Sequence, residues 1–281
     1  VPAAPFAPAD SDGPVFLKGH GTENDFVLLP DRADELDLTE NRVRALCDRR
    51  AGLGGDGVIR VVPDADGGFF MDYRNADGSL AQMCGNGARL FARYLVDAGW
   101  AAPGRIPFRT RGGPRVAHVQ TSGDVSIEMG PATLGVASRA AIGDAAFAGI
   151  AVDVGNPHLV CLDIGDRSTL AALDLSHAPE FDPQVFPDGV NIEFVTAQGP
   201  GEVAMRVHER GVGETRSCGT GTVAVAAATL AAAGRTQGRV LVNVPGGQVT
   251  VDIAPGTSML TGPAVIVAQG RVEPQFWAAH R

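Results

Sequence analysis

Two short segments, Met83-Cys84-Gly85-Asn86-Gly87 and Ser217-Cys218-Gly219-Thr220-Gly221, each place a cysteine directly before a Gly-x-Gly turn. Each turn opens a helix-forming run, Leu90–Ala98 after the first and Val223–Ala233 after the second. A thiol there meets the unpaired N–H groups and positive dipole end of its helix, which favour the thiolate. The expectation is that Cys84 and Cys218 fall from an ordinary thiol pKa of about 8.5 to partial ionisation near neutrality. Two such thiols on a duplicated scaffold predict a symmetric pair facing one substrate. That layout suits taking a proton from one face of a carbon and returning one to the other. Cys47, in an amphipathic run, and Cys161, in a strand, lack the glycine turn and read as small buried apolar residues.

The duplication extends well beyond the cysteines. Met71-Asp72-Tyr73-Arg74-Asn75 and Met205-Arg206-Val207-His208-Glu209 stand at one distance from their cysteines (84 − 71 = 218 − 205). Asp56-Gly57-Val58 matches Asp188-Gly189-Val190, and Asn24-Asp25-Phe26-Val27 matches Asn156-Pro157-His158-Leu159. The offsets 156 − 24, 218 − 84 and 262 − 130 are 132, 134 and 132, so one unit has been copied in register. So long a period means two domains rather than a solenoid.

The elements follow the same order in both copies. Alternation predicts strands near 15–19, 25–29, 58–62, 69–74, 106–110, 114–120 and 124–129, with a helix over Thr39–Arg49 capped by Thr39. The second copy predicts strands near 151–154, 158–163, 190–196, 202–208, 239–244, 248–253 and 257–261, with a short helix near 168–173. The run after Cys218 is nearly all Ala, Val, Thr and Leu, which suits a helix surrounded by sheet. The fold class is therefore α+β: two pseudo-symmetric domains, each a strongly curved antiparallel sheet or barrel around a central helix. A last strand, Ala264–Val272, lies beyond the second unit and is expected to cross back to the first. The domains are then 14–130 plus 264–281, and 131–263, after a disordered leader over 1–13.

A net charge of −9 argues against nucleic acid and anionic membranes as partners. No apolar run is long enough to span a bilayer. The Pro/Ala/Asp-rich start has neither a basic beginning nor an apolar core and does not read as a signal peptide. Four cysteines without a secretion signal point to free thiols in a cytoplasmic protein. No Cys-x-x-Cys pair marks a metal site, and neither glycine turn matches a phosphate loop or dinucleotide fingerprint.

Asn75 through Arg89 and Glu209 through Gly221 resemble the two signatures of the diaminopimelate epimerases, and Gly155-Asn156-Pro157-His158 and Val190-Asn191-Ile192-Glu193 match as well. The similarity runs from about Phe16 to the end of the chain. It implies a cofactor-independent epimerase that interconverts LL- and meso-2,6-diaminopimelate in lysine and cell-wall synthesis, on that family's pair of α+β domains. It also implies the site. Cys84 and Cys218 exchange protons with the substrate, and the N–H groups of Gly85, Asn86, Gly219 and Thr220 hold its α-carboxylate. Asn75, Asn156, Asn191 and Arg210 hold the distal centre, with Arg210 as the partner of its carboxylate. Glu209 contacts an ammonium group and supports catalysis, and Asn24 and His158 complete the proximal side. Outside these motifs the asparagines would read as turn residues and the Glu209-Arg210 pair as a solvated ion pair.

Two positions depart from the family pattern. Gly57 stands where many members carry a glutamine that reaches the ligand, and Ala268 where many carry a tyrosine at a dimer contact. A homodimer remains an option. Two other functions fit the paired cysteines. A proline or hydroxyproline racemase shares the scaffold, but usually has a histidine at the place of Asn86 and lacks the Glu-Arg pair before the second cysteine. A dithiol redox protein would leave Asn75, Asn156, Asn191 and Arg210 without a purpose.

Overall fold

The structure is a computed structural model that describes residues 13–121 and 123–281. All of the expected leader except Gly13 lies outside the described residues. The first repeat runs β1 (Val15–Gly21), β2 (Asn24–Pro30), α1 (Glu40–Cys47), β3 (Gly57–Pro63), β4 (Phe69–Asn75), α2 (Gly85–Asp97), β5 (Gly104–Thr110), β6 (Gly113–Val119) and β7 (Val125–Glu128). There follow β8 (Thr133–Ile142), β9 (Ala145–Asp153), β10 (Pro157–Cys161), α3 (Arg167–Ala172), β11 (Glu180–Phe181), β12 (Asn191–Gly199) and β13 (Glu202–Glu209). The second repeat closes with β14 (Gly213–Thr215), α4 (Gly219–Ala232), β15 (Gly238–Val244), β16 (Gly247–Ala254) and β17 (Thr257–Gly262). Last come β18 (Val265–Arg271) and α5 (Pro274–Ala279).

Sheet dominates, and each half wraps one long helix. Leu90, Phe91, Ala92 and Leu95 of α2 are buried, as are Val223, Ala224, Val225 and Ala226 of α4, within one continuous core. Burying each large apolar side chain contributes roughly 1.5–3 kcal/mol, so the sheet's grip on these helices is the main force fixing their N-termini. Both helices stop the same way. Gly99 (φ +68°) and Gly234 (φ +69°) take the left-handed conformation just past the last turn, which a residue with a Cβ adopts only under strain.

Most ladders are antiparallel, as expected, but β2–β3, β4–β5, β10–β12 and β13–β15 are parallel. The cause is local. The chain between each pair carries one of the helices α1 to α4, and a strand that follows a helical crossover re-enters its sheet in parallel.

The two halves are stitched together by strands. β7 pairs with β17 so that Ile127 faces Leu260 and Glu128 faces Met259. At the repeat offset of 132, Met259 is the counterpart of Ile127 and Leu260 that of Glu128, so the pairing maps onto itself and a pseudo-twofold axis runs through it. After β17, β18 pairs with β1 of the first repeat. After β7, in the same manner, β8 pairs with β9 of the second. Each half thus supplies its partner with an edge strand, and α2 and α4 are held facing each other across the axis.

Candidate active site

The two Cys-Gly-x-Gly segments are the points where the helices begin. Cys84 is the N-cap of α2 and its sulfur accepts the Gly87 N–H at 3.5 Å; Cys218 caps α4 and accepts the Gly221 N–H at 3.4 Å. Each thiol takes one of the opening N–H groups that have no carbonyl of their own helix to reach. The N–H groups of Gly85, Asn86, Gly219 and Thr220 are the other opening donors of the two helices, likewise without a carbonyl of their own helix to reach. Glycine is needed there: a Cβ on Gly219 would lie 3.1 Å from the Gly85 Cα and 3.3 Å from its nitrogen. Two positive helix ends therefore meet backbone to backbone, an arrangement suited to an anionic group.

The ionisation of the thiols departs from the sequence expectation. Burial pushes Cys84 up to about 11, and the field of Glu209 adds to it, against the opposing Gly87 and Asn86 N–H groups. Cys218 is pushed well above the ordinary thiol value by burial, then by Glu209 and Glu193, with the Gly221 N–H and Thr220 opposing. Desolvation outweighs the helix dipole, because the sheet that presents the dipole also removes water. The half-sites are not alike. Arg89 is fully buried one turn behind Cys84, its Nη1 has no hydrogen-bond partner among the described residues, and its charge favours the Cys84 thiolate. The matching position in α4 is Val223 (223 − 89 = 134). Glu209 raises both thiols; what sets them apart is the cation behind Cys84 and the second carboxyl, Glu193, beside Cys218.

Polar side chains from both halves converge on these caps. Asn86 donates to Asn24 Oδ1 at 3.2 Å and to the Ser217 carbonyl at 3.0 Å, so it spans the two repeats. Asn24 Oδ1 also accepts from the Cys84 thiol at 3.5 Å, while its amide donates to Asp56 Oδ2 at 2.7 Å. Thr22 Oγ1 lies 2.8 Å from Ser217 Oγ and accepts from Arg89. Glu209 takes a hydrogen bond from the Thr215 hydroxyl; burial pushes its carboxyl up, while Thr215 and the Cys218 thiol pull the other way. His158 is wholly buried and joins Asn156 at 3.1 Å, and the Asn156 amide donates to Thr220 Oγ1 at 3.4 Å. Asn191 braces the rim: its amide donates to the Pro157 carbonyl, and its oxygen accepts the Arg210 N–H, each at 3.0 Å. The Arg210 side chain is exposed, lies over Gly189 and donates to the Asp188 carbonyl, with no carboxylate partner among the described residues. Asn75 is the exception, since its amide is taken up by Ser79 in its own turn.

Four contributors were not picked out from the sequence. Thr22 sits in the turn between β1 and β2, while Ser217 and Arg89 lie at the edges of the recognised motifs and were given no role there. Tyr73 is buried with its ring against Gly57, where a Cβ would come within 2.7 Å of Cε2 and 3.3 Å of the hydroxyl. The phenol thus fills the place that a longer residue at 57 would enter. Burial pushes its hydroxyl well above the ordinary phenol range, and the charges of Cys84 and Glu209 add to that. Its position inside the repeated Met71–Asn75 segment was the available signal.

Among solved structures, a phenazine biosynthesis protein of the PhzF family from Bacillus anthracis is similar at a TM-score of 0.71 with 14% identity, over 93% of this chain and 99% of its own. A hydroxyproline epimerase from Agrobacterium vitis, solved with trans-4-hydroxy-L-proline, is similar at 0.66 with 17% identity, over 94% of each chain. The scaffold is the two-half fold of that class of proteins. The sequence is more specific: the diaminopimelate epimerase family model matches residues 16–135 and 150–267. The diaminopimelate epimerase of Mycobacterium ulcerans (strain Agy99) is 51% identical over 288 residues, spanning 95% of this chain and 99% of the relative. The chain belongs to the diaminopimelate epimerase family, a family of isomerases.

Proposed function

We propose that this chain interconverts LL- and meso-2,6-diaminopimelate without a cofactor, by proton exchange at one α-carbon between Cys84 and Cys218. The observation that carries the reading is the meeting of two cysteine-capped helix N-termini at Gly85 and Gly219. A substrate α-carboxylate between them receives opening N–H groups from both helices, where charge builds up as the α-proton leaves. One sulfur, as thiolate, takes the α-proton and becomes a thiol. The opposite thiol gives its proton to the other face of the carbon and becomes the thiolate, so the enzyme leaves the reaction with its two protonation states exchanged.

The raised thiols fit this scheme. Substrate brings an ammonium group into a water-poor space, and a cation close by restores the charged form of a sulfur. Glu209 raises both thiols, so Arg89 behind Cys84 and Glu193 near Cys218 are what favour a first thiolate on Cys84. Glu209 accepts the ammonium, and Asn24 and Asn86 orient the proximal end. Arg210, which pairs with no carboxylate among the described residues, takes the distal carboxylate, with Asn156, Asn191 and Asn75 around it. Asn75 reaches substrate by releasing Ser79. Free thiols suit the reducing cytoplasm, and no helix among the described residues is long and apolar enough to cross a membrane. The alternative racemase reading rests on a likeness of fold at 17% identity, against 51% for a relative named diaminopimelate epimerase.

The test is incubation of the purified protein with single stereoisomers of diaminopimelate and, separately, of proline, with no cofactor, followed by chiral chromatography. Conversion of LL- to meso-diaminopimelate, with proline untouched, is expected. Turnover of proline alone would overturn the assignment.

A further inference from the structure

A two-residue turn of the first half is pressed into the second. β1 and β2 pair as far as Gly21 and Asn24, which leaves Thr22 and Glu23 as the whole loop. Both take the left-handed conformation, at φ +51° and +60°. Asparagine and glycine are the usual residues of such a turn, and a β-branched threonine holds that conformation only under strain. Strain of this kind persists where the surroundings enforce it. Here they do: Thr22 is buried, and the tip seats against Arg216, Ser217 and Gly246 of the second half. A Cβ on Gly246 would lie 1.8 Å from the Thr22 carbonyl oxygen, and Glu23 pairs with Arg216.

The Thr22 hydroxyl stands between the two cysteine caps. Its oxygen accepts from Nη2 of Arg89, the cation behind Cys84, at 3.1 Å. It also lies 2.8 Å from Ser217 Oγ, and Ser217 directly precedes Cys218. A guanidinium only donates, so Thr22 accepts there and has its own proton left for Ser217. Ser217 is thus gripped twice from the first half, on its hydroxyl by Thr22 and on its carbonyl by Asn86. Arg89 in turn donates from Nε to the Pro263 carbonyl at 3.2 Å, where the chain crosses back from β17 to β18.

The second copy of the fold fills the same place with hydrocarbon. The repeat offsets set Val154 opposite Thr22 (154 − 132), Val223 opposite Arg89 (223 − 134) and Met83 opposite Ser217 (217 − 134). Val154 and Val223 are buried, and Met83 packs on the same core. In the corresponding turn the left-handed residue is Gly155, so no threonine is strained there. Packing alone therefore asks for none of the three polar side chains. Burying them costs stability, and Arg89 Nη1 is left without a partner among the described residues.

We infer that Thr22 is a positioning residue for the reaction: by joining Arg89 to Ser217 it holds the cap of Cys218 in register with that of Cys84 across the two halves. This rests on the two-thiol reading above. Both sulfurs must reach one carbon, so a small shift of the Cys218 cap is felt in the chemical step. Substrate binding is shared with groups far from this clamp, Arg210 among them, and is felt less.

Thr22→Gly removes the hydroxyl and relieves the strain, since glycine takes the left-handed conformation freely. Epimerisation should lose about tenfold in kcat, as for a misplacement of about half an ångström, with KM within about threefold. Thr22→Ser keeps the hydroxyl and should recover most of that loss. The second readout needs no substrate: the alkylation rate of each cysteine in ligand-free protein treated with iodoacetamide, resolved by peptide mass spectrometry. With Ser217 released the Cys218 cap opens, and Cys218 should react about fivefold faster in Thr22→Gly, the worth of one ordinary hydrogen bond. Cys47 and Cys161, buried in the first and second halves, report global opening and should keep their rates. A rise in all three together would mean a merely structural role and overturn the proposal. So would an unchanged Cys218, an unchanged kcat in Thr22→Gly, or an equal loss of kcat in Thr22→Ser. Ser217→Ala cuts the same bond from the other side and should speed Cys218 equally; it decides alone should Thr22→Gly fail to fold. Alkylation involves no turnover, so an unaltered protein that leaves diaminopimelate untouched would count against the proposed function and not against the clamp.

Discussion

Gly219→Ala is the sharpest test of how the helix ends are placed. The added methyl would sit 3.1 Å from the Gly85 Cα and 3.3 Å from the Gly85 nitrogen, so one backbone must yield to another. Reaching ordinary contact at 3.4–4 Å requires a movement of 0.3–0.9 Å (3.4 − 3.1 and 4 − 3.1). Misplacement of reacting groups by about 1 Å costs on the order of 100-fold, which scales to a loss of about 4- to 60-fold in kcat/KM. Stability should fall by no more than about 2 kcal/mol. Overpacking costs roughly 1–3 kcal/mol, while alanine in place of glycine in a helix returns up to about 1. The control is built into the symmetry. At Gly85 the same methyl would meet Leu260 Cδ2 at 3.1 Å and Met129 Cε at 3.2 Å, the ends of flexible side chains, and the Gly219 Cα only at 3.4 Å. Gly85→Ala should therefore lose clearly less activity. The assay is steady-state epimerisation beside a thermal melt for each variant. Equal losses in the two variants, or full activity in Gly219→Ala, would refute the argument that backbone contact between the helix ends fixes the thiols.

Arg210→Met should raise KM for diaminopimelate far more than it lowers kcat, since a carboxylate that loses its guanidinium partner costs about 2–5 kcal/mol; unchanged kcat/KM would remove Arg210 from the distal site. Asp25→Asn tests the scaffold under Asn24. Burial raises the Asp25 carboxyl, but hydrogen bonds from Arg49 and Lys18 outweigh it and hold it at about 2. A depressed carboxyl contributes stability that is present above its unfolded pKa near 3.8 and is lost as pH falls toward 2. The variant should be less stable by about 2 kcal/mol at neutral pH in urea unfolding, with the gap closing between about pH 4 and 2. A gap that does not vary with pH would contradict the ion-pair origin.

The cysteine caps, the repeat and the central helices were legible because each rests on short-range chemistry: an N-cap side chain before glycines, alternation in strands, an all-apolar run. β8 was missed because nearly every residue from Thr133 to Ala141 is exposed or half-exposed, so no apolar period marks it. Glu193 lay in a motif that was recognised, yet its strand is buried on both faces from Asn191 to Thr196, and alternation cannot single out a charge there. The ionisation of the thiols came out with the wrong sign for a related reason. A helix N-terminus can be read from Cys-Gly-x-Gly, but the depth of burial that outweighs it depends on strands more than a hundred residues away.

The central claim is that two different sulfurs serve the two faces of one carbon. The most direct measurement is epimerisation of LL-diaminopimelate in heavy water, stopped at low conversion and analysed for isotope in each stereoisomer. Two bases predict that early product carries deuterium at the inverted centre while remaining substrate stays largely protiated. Product that retains the substrate's own hydrogen would mean a single base, and the matched cysteines would lose their purpose.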